Sequence, residues 1–178
     1  MHLRLEHHQV ARLLQHAASR APQEACGLLG GVGGKARRIV LIDNVATDAS
    51  RRYEMDASQL VRALFAFERE GLELCAIWHS HPEGKPLPSA EDIRAAAWPD
   101  VCQLIVGFAN GKAELGAWRI ASGEASRVPL QIGSSAPDLL PEEETGQQGL
   151  AIWASAAVAV ILALWLALTL LPPAPKIP

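Results

Sequence analysis

Trp78-His79-Ser80-His81-Pro82, continuing through Glu83-Gly84-Lys85-Pro86-Leu87-Pro88 to Ser89-Ala90-Glu91-Asp92, is the stretch around which the 178-residue chain is organised. If residues 76–81 run as a β-strand, side chains two apart share a face, so His79 and His81 project together while Ser80 points away. Two imidazoles from a strand and a carboxylate from the next element supply the three nitrogen and oxygen ligands of a catalytic zinc ion, leaving a fourth position for water. Asp92 is the candidate third ligand. Ser89-x-x-Asp92 is also a helix capping box, in which Asp92 only neutralises backbone donors of the first turn. The two roles are compatible, because a capped first turn fixes the direction in which Asp92 points.

The spacing His-Ser-His, seven residues, Ser-x-x-Asp resembles the signature of the JAMM (MPN-plus) zinc metallopeptidases, with every position filled. The family also has an upstream glutamate in a segment resembling Pro22-Gln23-Glu24-Ala25-Cys26-Gly27-Leu28-Leu29-Gly30. The resemblance covers residues 1–132 and includes Tyr53-Glu54-Met55-Asp56 and Trp98-Pro99-Asp100, which look most like the small bacterial members. It implies His79, His81 and Asp92 on one zinc ion per chain, Glu24 as general acid/base, and Ser89 assisting the tetrahedral intermediate. It also implies an α/β, cytidine-deaminase-like MPN domain with a mixed β-sheet flanked by helices. The implied substrate is a peptide or isopeptide bond at the C-terminal Gly-Gly tail of a ubiquitin-like or sulfur-carrier protein.

Composition narrows the remaining classes. A net charge of −3 with scattered Lys and Arg gives no electrostatic case for nucleic acid. Cys26, Cys75 and Cys102 form no Cys-x-x-Cys pair and read as buried reduced thiols. Residues 1–20 are interrupted by His, Arg, Glu and Gln and do not resemble a secretory signal.

Along the chain, Val10, Leu13, Leu14 and Ala17 predict an amphipathic helix over residues 6–19, near which His7, His8 and His16 form no metal-binding pattern. Residues 25–29 read as a short buried strand entered by Glu24, an acidic residue whose desolvation needs a partner or a task. Gly30-Gly31-Val32-Gly33-Gly34-Lys35 has neither phosphate-loop nor dinucleotide spacing and predicts a flexible hairpin to a strand over 38–42. Asp56-Ala57-Ser58-Gln59 resembles a capping box for a second helix with Leu60, Leu64 and Phe67 buried and Gly71 at its end. Residues 74–79 return as a strand, the loop 82–88 is stiffened by three prolines, and 92–97 is a short helix. Strands over 103–108, 113–120 and 127–132, joined by Asn110-Gly111 and Ser122-Gly123, predict an antiparallel meander.

Residues 133–149 turn to Ser, Pro, Glu, Gly and Gln and read as a flexible linker. Residues 150–171 carry no charge and would span roughly 33 Å as a helix, enough for a bilayer core. The expectation is a single C-terminal transmembrane helix followed by a short tail, 172–178, with the catalytic domain anchored at the membrane on the cytoplasmic side. Three rival readings remain at this point. One is a non-catalytic MPN-type scaffold binding ubiquitin-like partners. Another is a cysteine hydrolase using Cys26, which shares a strand face with Glu24 but has no partner His implied by spacing. The third is a deaminase sharing the fold, whose His-x-Glu and Pro-Cys-x-x-Cys pattern is missing.

Overall fold

Eight strands form one mixed sheet in the computed structural model, which describes residues 1–133. In chain order they are β1 (Leu3–Leu5), β2 (Cys26–Val32), β3 (Lys35–Ile42), β4 (Glu73–His81), β5 (Cys102–Gly107), β6 (Glu114–Ala121), β7 (Glu124–Arg127) and β8 (Leu130–Ile132). Helices α1 (His7–Arg20), α2 (Ala57–Arg69) and α3 (Ala90–Ala95) are interleaved with them. The order across the sheet is β7-β6-β5-β4-β2-β3-β1-β8. β7 and β8 thus lie at opposite edges although only Val128 and Pro129 separate them. Three Cα steps cover at most about 11 Å, so the sheet curls until its edges approach.

The single strand expected over 127–132 is therefore two. Proline has no N–H with which to continue a ladder. The Val128 N–H makes the last bond on the β6 side, donating to Ala117 O at 2.9 Å, and Pro129 O then accepts from Leu3 N–H at 2.9 Å on the other edge. β8 and the unanticipated β1 pair in parallel, while β5, β6 and β7 form the expected antiparallel meander.

The glycine run also behaves differently from a flexible hairpin. Gly33 and Gly34 form the turn with φ of 55° and 77°, whereas Gly30 and Gly31 lie inside β2. A Cβ on Gly30 would stand 2.6 Å from the Phe67 ring, and one on Gly31 2.0 Å from Lys35 O. Close packing, not looseness, requires those two glycines.

Alternation along β4 sends its side chains to two cores. Ala76 and Trp78 join Leu13 and Ala17 under α1; Ile77 joins Leu28, Ala63 and Phe67 under α2. Burying a side chain of the Phe67 class contributes roughly 1.5–3 kcal/mol. α1 is capped reciprocally by Glu6 and Gln9. Asp56 caps α2 through Gln59 N–H, but the Gln59 side chain bonds Asp43 instead of returning to the cap, so only half of the expected box forms. α3 begins one residue after Ser89 and ends at Ala95, two residues before the expected end. Among the described residues no helix is long and apolar enough to cross a membrane, and the linker, the membrane span over 150–171 and the tail lie outside the described residues.

Candidate metal centre

His79 sits at the C-terminal end of β4 on the α2 face, completely buried. His81, two residues on, points the same way, and their Nε2 atoms approach to 3.1 Å. Asp92 on the first turn of α3 brings Oδ1 to 3.3 Å from His79 Nε2 and Oδ2 to 3.4 Å from His81 Nε2. One ligand atom from each of the three residues thus lies within 4.8 Å of the others. His81 Nδ1 lies 3.1 Å from Lys85 O, so Nδ1 carries the proton and donates, leaving the Nε2 lone pair directed at the site. Two imidazole nitrogens and a carboxylate oxygen are the donor set of an open catalytic zinc site, and the residues present fit that ion.

The capping box at α3 is complete. Asp92 N–H donates to Ser89 Oγ at 3.1 Å, and Ser89 N–H donates to Asp92 Oδ2 at 2.7 Å. Asp92 is thereby aimed from a six-residue helix with no buried residue of its own. Burial opposes its charge, but the adjoining His79 and His81 imidazoles and the hydrogen bond from Ser89 prevail and hold the carboxyl below its ordinary range. His79 shifts the other way, because complete burial disfavours the imidazolium more than Asp92 favours it. For His81, burial is outweighed by Asp92, Lys85 O and Glu24, and its pKa rises.

Glu24 lies two residues before β2, with Ala25 between them. Cys26 pairs with His79 across the β2–β4 ladder, and the pairing reaches Ala25, whose carbonyl accepts from Ser80 N–H at 2.9 Å. The next step places Glu24 across from His81. Only 6 % of Glu24 is exposed, and its Oε2 is buried without a hydrogen-bond partner. Burial raises its pKa to about 7, with His81 lowering it and Asp92 raising it further. A buried carboxyl that responds to two of the three residues of the adjacent group is placed to exchange a proton there.

Three positioning residues escaped the sequence reading. Ser80 Oγ accepts from Ala25 N–H at 2.8 Å, taking the place of a backbone acceptor just where β2 gives way to Glu24. Asn44 Nδ2 donates to Glu24 O at 2.9 Å, and its Oδ1 accepts from Ala46 and Glu54 N–H at 3.0 Å each, so one carboxamide ties Glu24 to the connection between β3 and α2. The Tyr53 ring stacks on His79 with centroids 4.6 Å apart. Tyr53 belongs to a stretch that resembles the family and Ser80 stands inside the His-Ser-His signature, yet neither stretch states a positioning role, and Asn44 carries no local signal. Cys26, by contrast, is buried, and its thiol is pushed up to about 12, first by burial and then by Glu24. That environment opposes a thiolate nucleophile.

Residues 6–121 match the family model described as prokaryotic homologs of the JAB domain. Over 83 residues the chain is 43% identical to the probable TtuB-protein conjugate cleaving protease of Thermus thermophilus, covering 47% of this chain and 55% of that protein. Over 123 residues it is 33% identical to the desampylase of Pyrococcus furiosus, covering 68% of this chain and 84% of the relative. The match thus spans little more than half the length of the Thermus protein. A solution structure of a Desulfitobacterium hafniense protein has the same fold, with a TM-score of 0.67 at 26% identity over 76% of this chain and 95% of that one.

Proposed function

The chain belongs to the family of prokaryotic JAB-domain homologues, and from that premise we propose that it is a zinc-dependent metallopeptidase that cleaves a peptide or isopeptide bond at the C-terminal Gly-Gly tail of a ubiquitin-like or sulfur-carrier protein. The observation that carries the reading is the convergence of His79, His81 and Asp92 within 4.8 Å beside the buried, unpartnered Oε2 of Glu24. His79 Nε2, His81 Nε2 and an Asp92 oxygen would hold the metal. Zinc in such a donor set supplies Lewis acidity toward a carbonyl and makes a water acidic enough to attack at neutral pH.

Glu24 accepts the proton of the attacking water at Oε2 and delivers it to the departing amine. Its pKa of about 7 balances the two tasks, since it can both take and release a proton near neutrality. Ser89 Oγ already accepts from Asp92 N–H, which leaves its O–H free to donate to the oxygen that gains charge. Ser80 and Asn44 keep the Glu24 backbone in register with His81 while this happens. The substrate class is supported by the relatives, one of which is named for cleaving TtuB–protein conjugates.

The same reading tethers the enzyme to a membrane through the uncharged residues 150–171, with the catalytic domain in the cytoplasm. Protease added to inside-out vesicles should digest the domain, and digestion in intact spheroplasts would overturn this topology. For the chemistry, Glu24→Gln should retain zinc yet lose hydrolysis of a Gly-Gly-linked conjugate by about 10²–10⁴-fold. Full activity in that variant, or a folded native chain that takes up no zinc, would refute the reading.

A further inference from the structure

The loop 82–88 joins the histidine pair to Asp92, and Pro86 is its buried residue. Two glycines let it lie directly on the sheet. A Cβ on Gly107 of β5 would stand 2.5 Å from Pro86 N and 2.6 Å from Lys85 C, and one on Gly116 of β6 would stand 2.3 Å from Pro86 O. Trp118, two residues beyond Gly116 on β6, donates from Nε1 to Pro86 O at 2.9 Å. These contacts lie on the face of the sheet that carries the histidines, because His79 pairs with Ile105, Ile105 with Gly116, and Trp118 follows at the two-residue period. Arg127, opposite Trp118 on β7, covers the indole with its guanidinium carbon 4.8 Å from the ring centroid.

What this bond fixes lies one residue earlier. Lys85 O accepts from Leu87 N–H at 2.8 Å, closing a three-residue turn centred on Pro86, and the same oxygen is the acceptor 3.1 Å from His81 Nδ1. A neutral imidazole carries its proton on one nitrogen, and only the other can bind a metal. His79 Nδ1 is buried without a partner, so of the two imidazoles only His81 is held from behind. Lys85 is itself exposed, and α3 has no buried residue of its own. Pro86 is therefore the point at which the loop is fastened to the sheet, and Trp118 supplies the hydrogen bond there.

We propose that Trp118 is a positioning residue for His81: by holding Pro86 O it keeps Lys85 O behind the imidazole, so that the proton stays on Nδ1 and the Nε2 lone pair faces His79 and Asp92. The inference rests on the metal-site reading and adds a residue of β6 to what assembles that site. Without the Nε1 donor, the turn at Pro86 can pivot over the two glycines. Lys85 O then leaves His81 Nδ1, and the ring divides between two tautomers, one of which has Nε2 protonated and closed to a metal. Trp118 touches neither the metal ligands nor a substrate, and its effect reaches the site only through the loop.

The test uses the full-length chain and the variant Trp118→Phe, which keeps an aromatic ring beneath Arg127 and deletes the donor. Zinc affinity is read by competition with a chromophoric chelator, and the His81 tautomer by long-range proton–nitrogen correlation spectra of the metal-free chain at pH 9. The native chain should carry the His81 proton on Nδ1. The variant should show both tautomers at His81 and bind zinc about tenfold more weakly, the low end of the roughly 10–100-fold that losing an outer partner of a ligand costs. If Trp118→Phe does not fold, benzothienylalanine at position 118, which replaces the N–H by sulfur within the same outline, carries the same expectation. Weaker zinc binding with the His81 tautomer unchanged would mark Trp118 as packing alone and overturn the proposal. Mixed tautomers with unchanged affinity, no change in either, or a native chain protonated on His81 Nε2 would overturn it as well. Should the native chain take up no zinc, the hydrolase reading falls and the tautomer of the metal-free chain alone decides the role of Trp118. Turnover by the native chain with an unshifted tautomer in the variant does the reverse, keeping the hydrolase and removing Trp118.

Discussion

Replacing Glu24 by Gln in the metal-free chain isolates what it costs to keep a carboxylate at that position. Burial, the largest influence, raises the pKa from 4.5 to about 7. The folded chain thus holds this proton roughly 300-fold more tightly than the unfolded one, equivalent to about 3 kcal/mol. Because the folded pKa is the higher, the stability linked to the proton is fully present below about pH 4.5 and lost as pH rises through about 7. Between pH 5 and pH 8 the loss amounts to about 2.5 kcal/mol. Gln keeps the shape but has no charge to desolvate, so its stability does not follow that decline. His81 and Asp92 are present in both chains, and their pull on Glu24, His81 lowering and Asp92 raising its pKa, is already contained in the value of about 7. Urea unfolding with EDTA present should therefore find Glu24→Gln nearly neutral at pH 5 and stabilising by about 2–3 kcal/mol at pH 8. A stability difference that is flat with pH, or that shrinks toward pH 8, would refute the account of Glu24 as a buried, costly carboxyl. Retaining such a group in a fold that is more stable without its charge is the expected trade-off at a functional site.

Other substitutions test the neighbouring elements. Elemental analysis of the purified native chain should find about one zinc per chain, and His81→Ala, which removes one of three protein donors, should lose most of it. Mass-spectrometric mapping of iodoacetamide labelling at pH 8 should find Cys26 and Cys102 protected in the folded chain, because burial pushes their thiols up to about 12 and about 11; Cys75, only half-buried, should label first. Rapid labelling of Cys26 would revive the cysteine-hydrolase alternative. Asn44→Ala removes hydrogen bonds to Glu24 O, Ala46 N–H and Glu54 N–H, and at about 1 kcal/mol each it should cost about 2–3 kcal/mol in urea unfolding. Amide exchange should then rise across the connection between β3 and α2 and at Glu24, and unchanged exchange at Glu24 would remove Asn44 as its positioning residue.

What could be read from the sequence was whatever repeats at short range. The shared face of His79 and His81 follows from the two-residue period of a strand, and Ser89-x-x-Asp92 states its own hydrogen bonds. Asn110-Gly111 and Ser122-Gly123 mark turns because positive φ is needed at both residues, and all four have it. The failures are long-range. Nothing near residues 127–132 says that one half pairs with β6 and the other with the chain's first strand, although Pro129 marks where the ladder must break. Gly30 and Gly31 looked like turn residues because Phe67 and Lys35, the neighbours that exclude a Cβ, are respectively distant in sequence and across a hairpin.

The same distinction separates the groups of the candidate site from those that place them. His79, His81 and Asp92 come from β4 and the next helix, 14 positions from first to last, so their spacing alone suggests a cluster. Glu24 lies 55 residues before His79, and what brings it there is the β2–β4 ladder, closed by the Ser80 hydroxyl on Ala25 N–H. Ser80 faces away from the histidines because strand side chains alternate, and for that reason it can reach the backbone of β2 while they face Asp92. The His-Ser-His triplet thus performs two tasks on opposite faces of one strand. Its outer residues assemble the ligand set with Asp92, and its central residue fixes the neighbouring strand that presents the carboxyl. Substituting Ser80 by Ala would leave every proposed ligand in place yet strand the Ala25 N–H in a buried site, so its effect should fall on the placement of Glu24 while the ligand set remains intact.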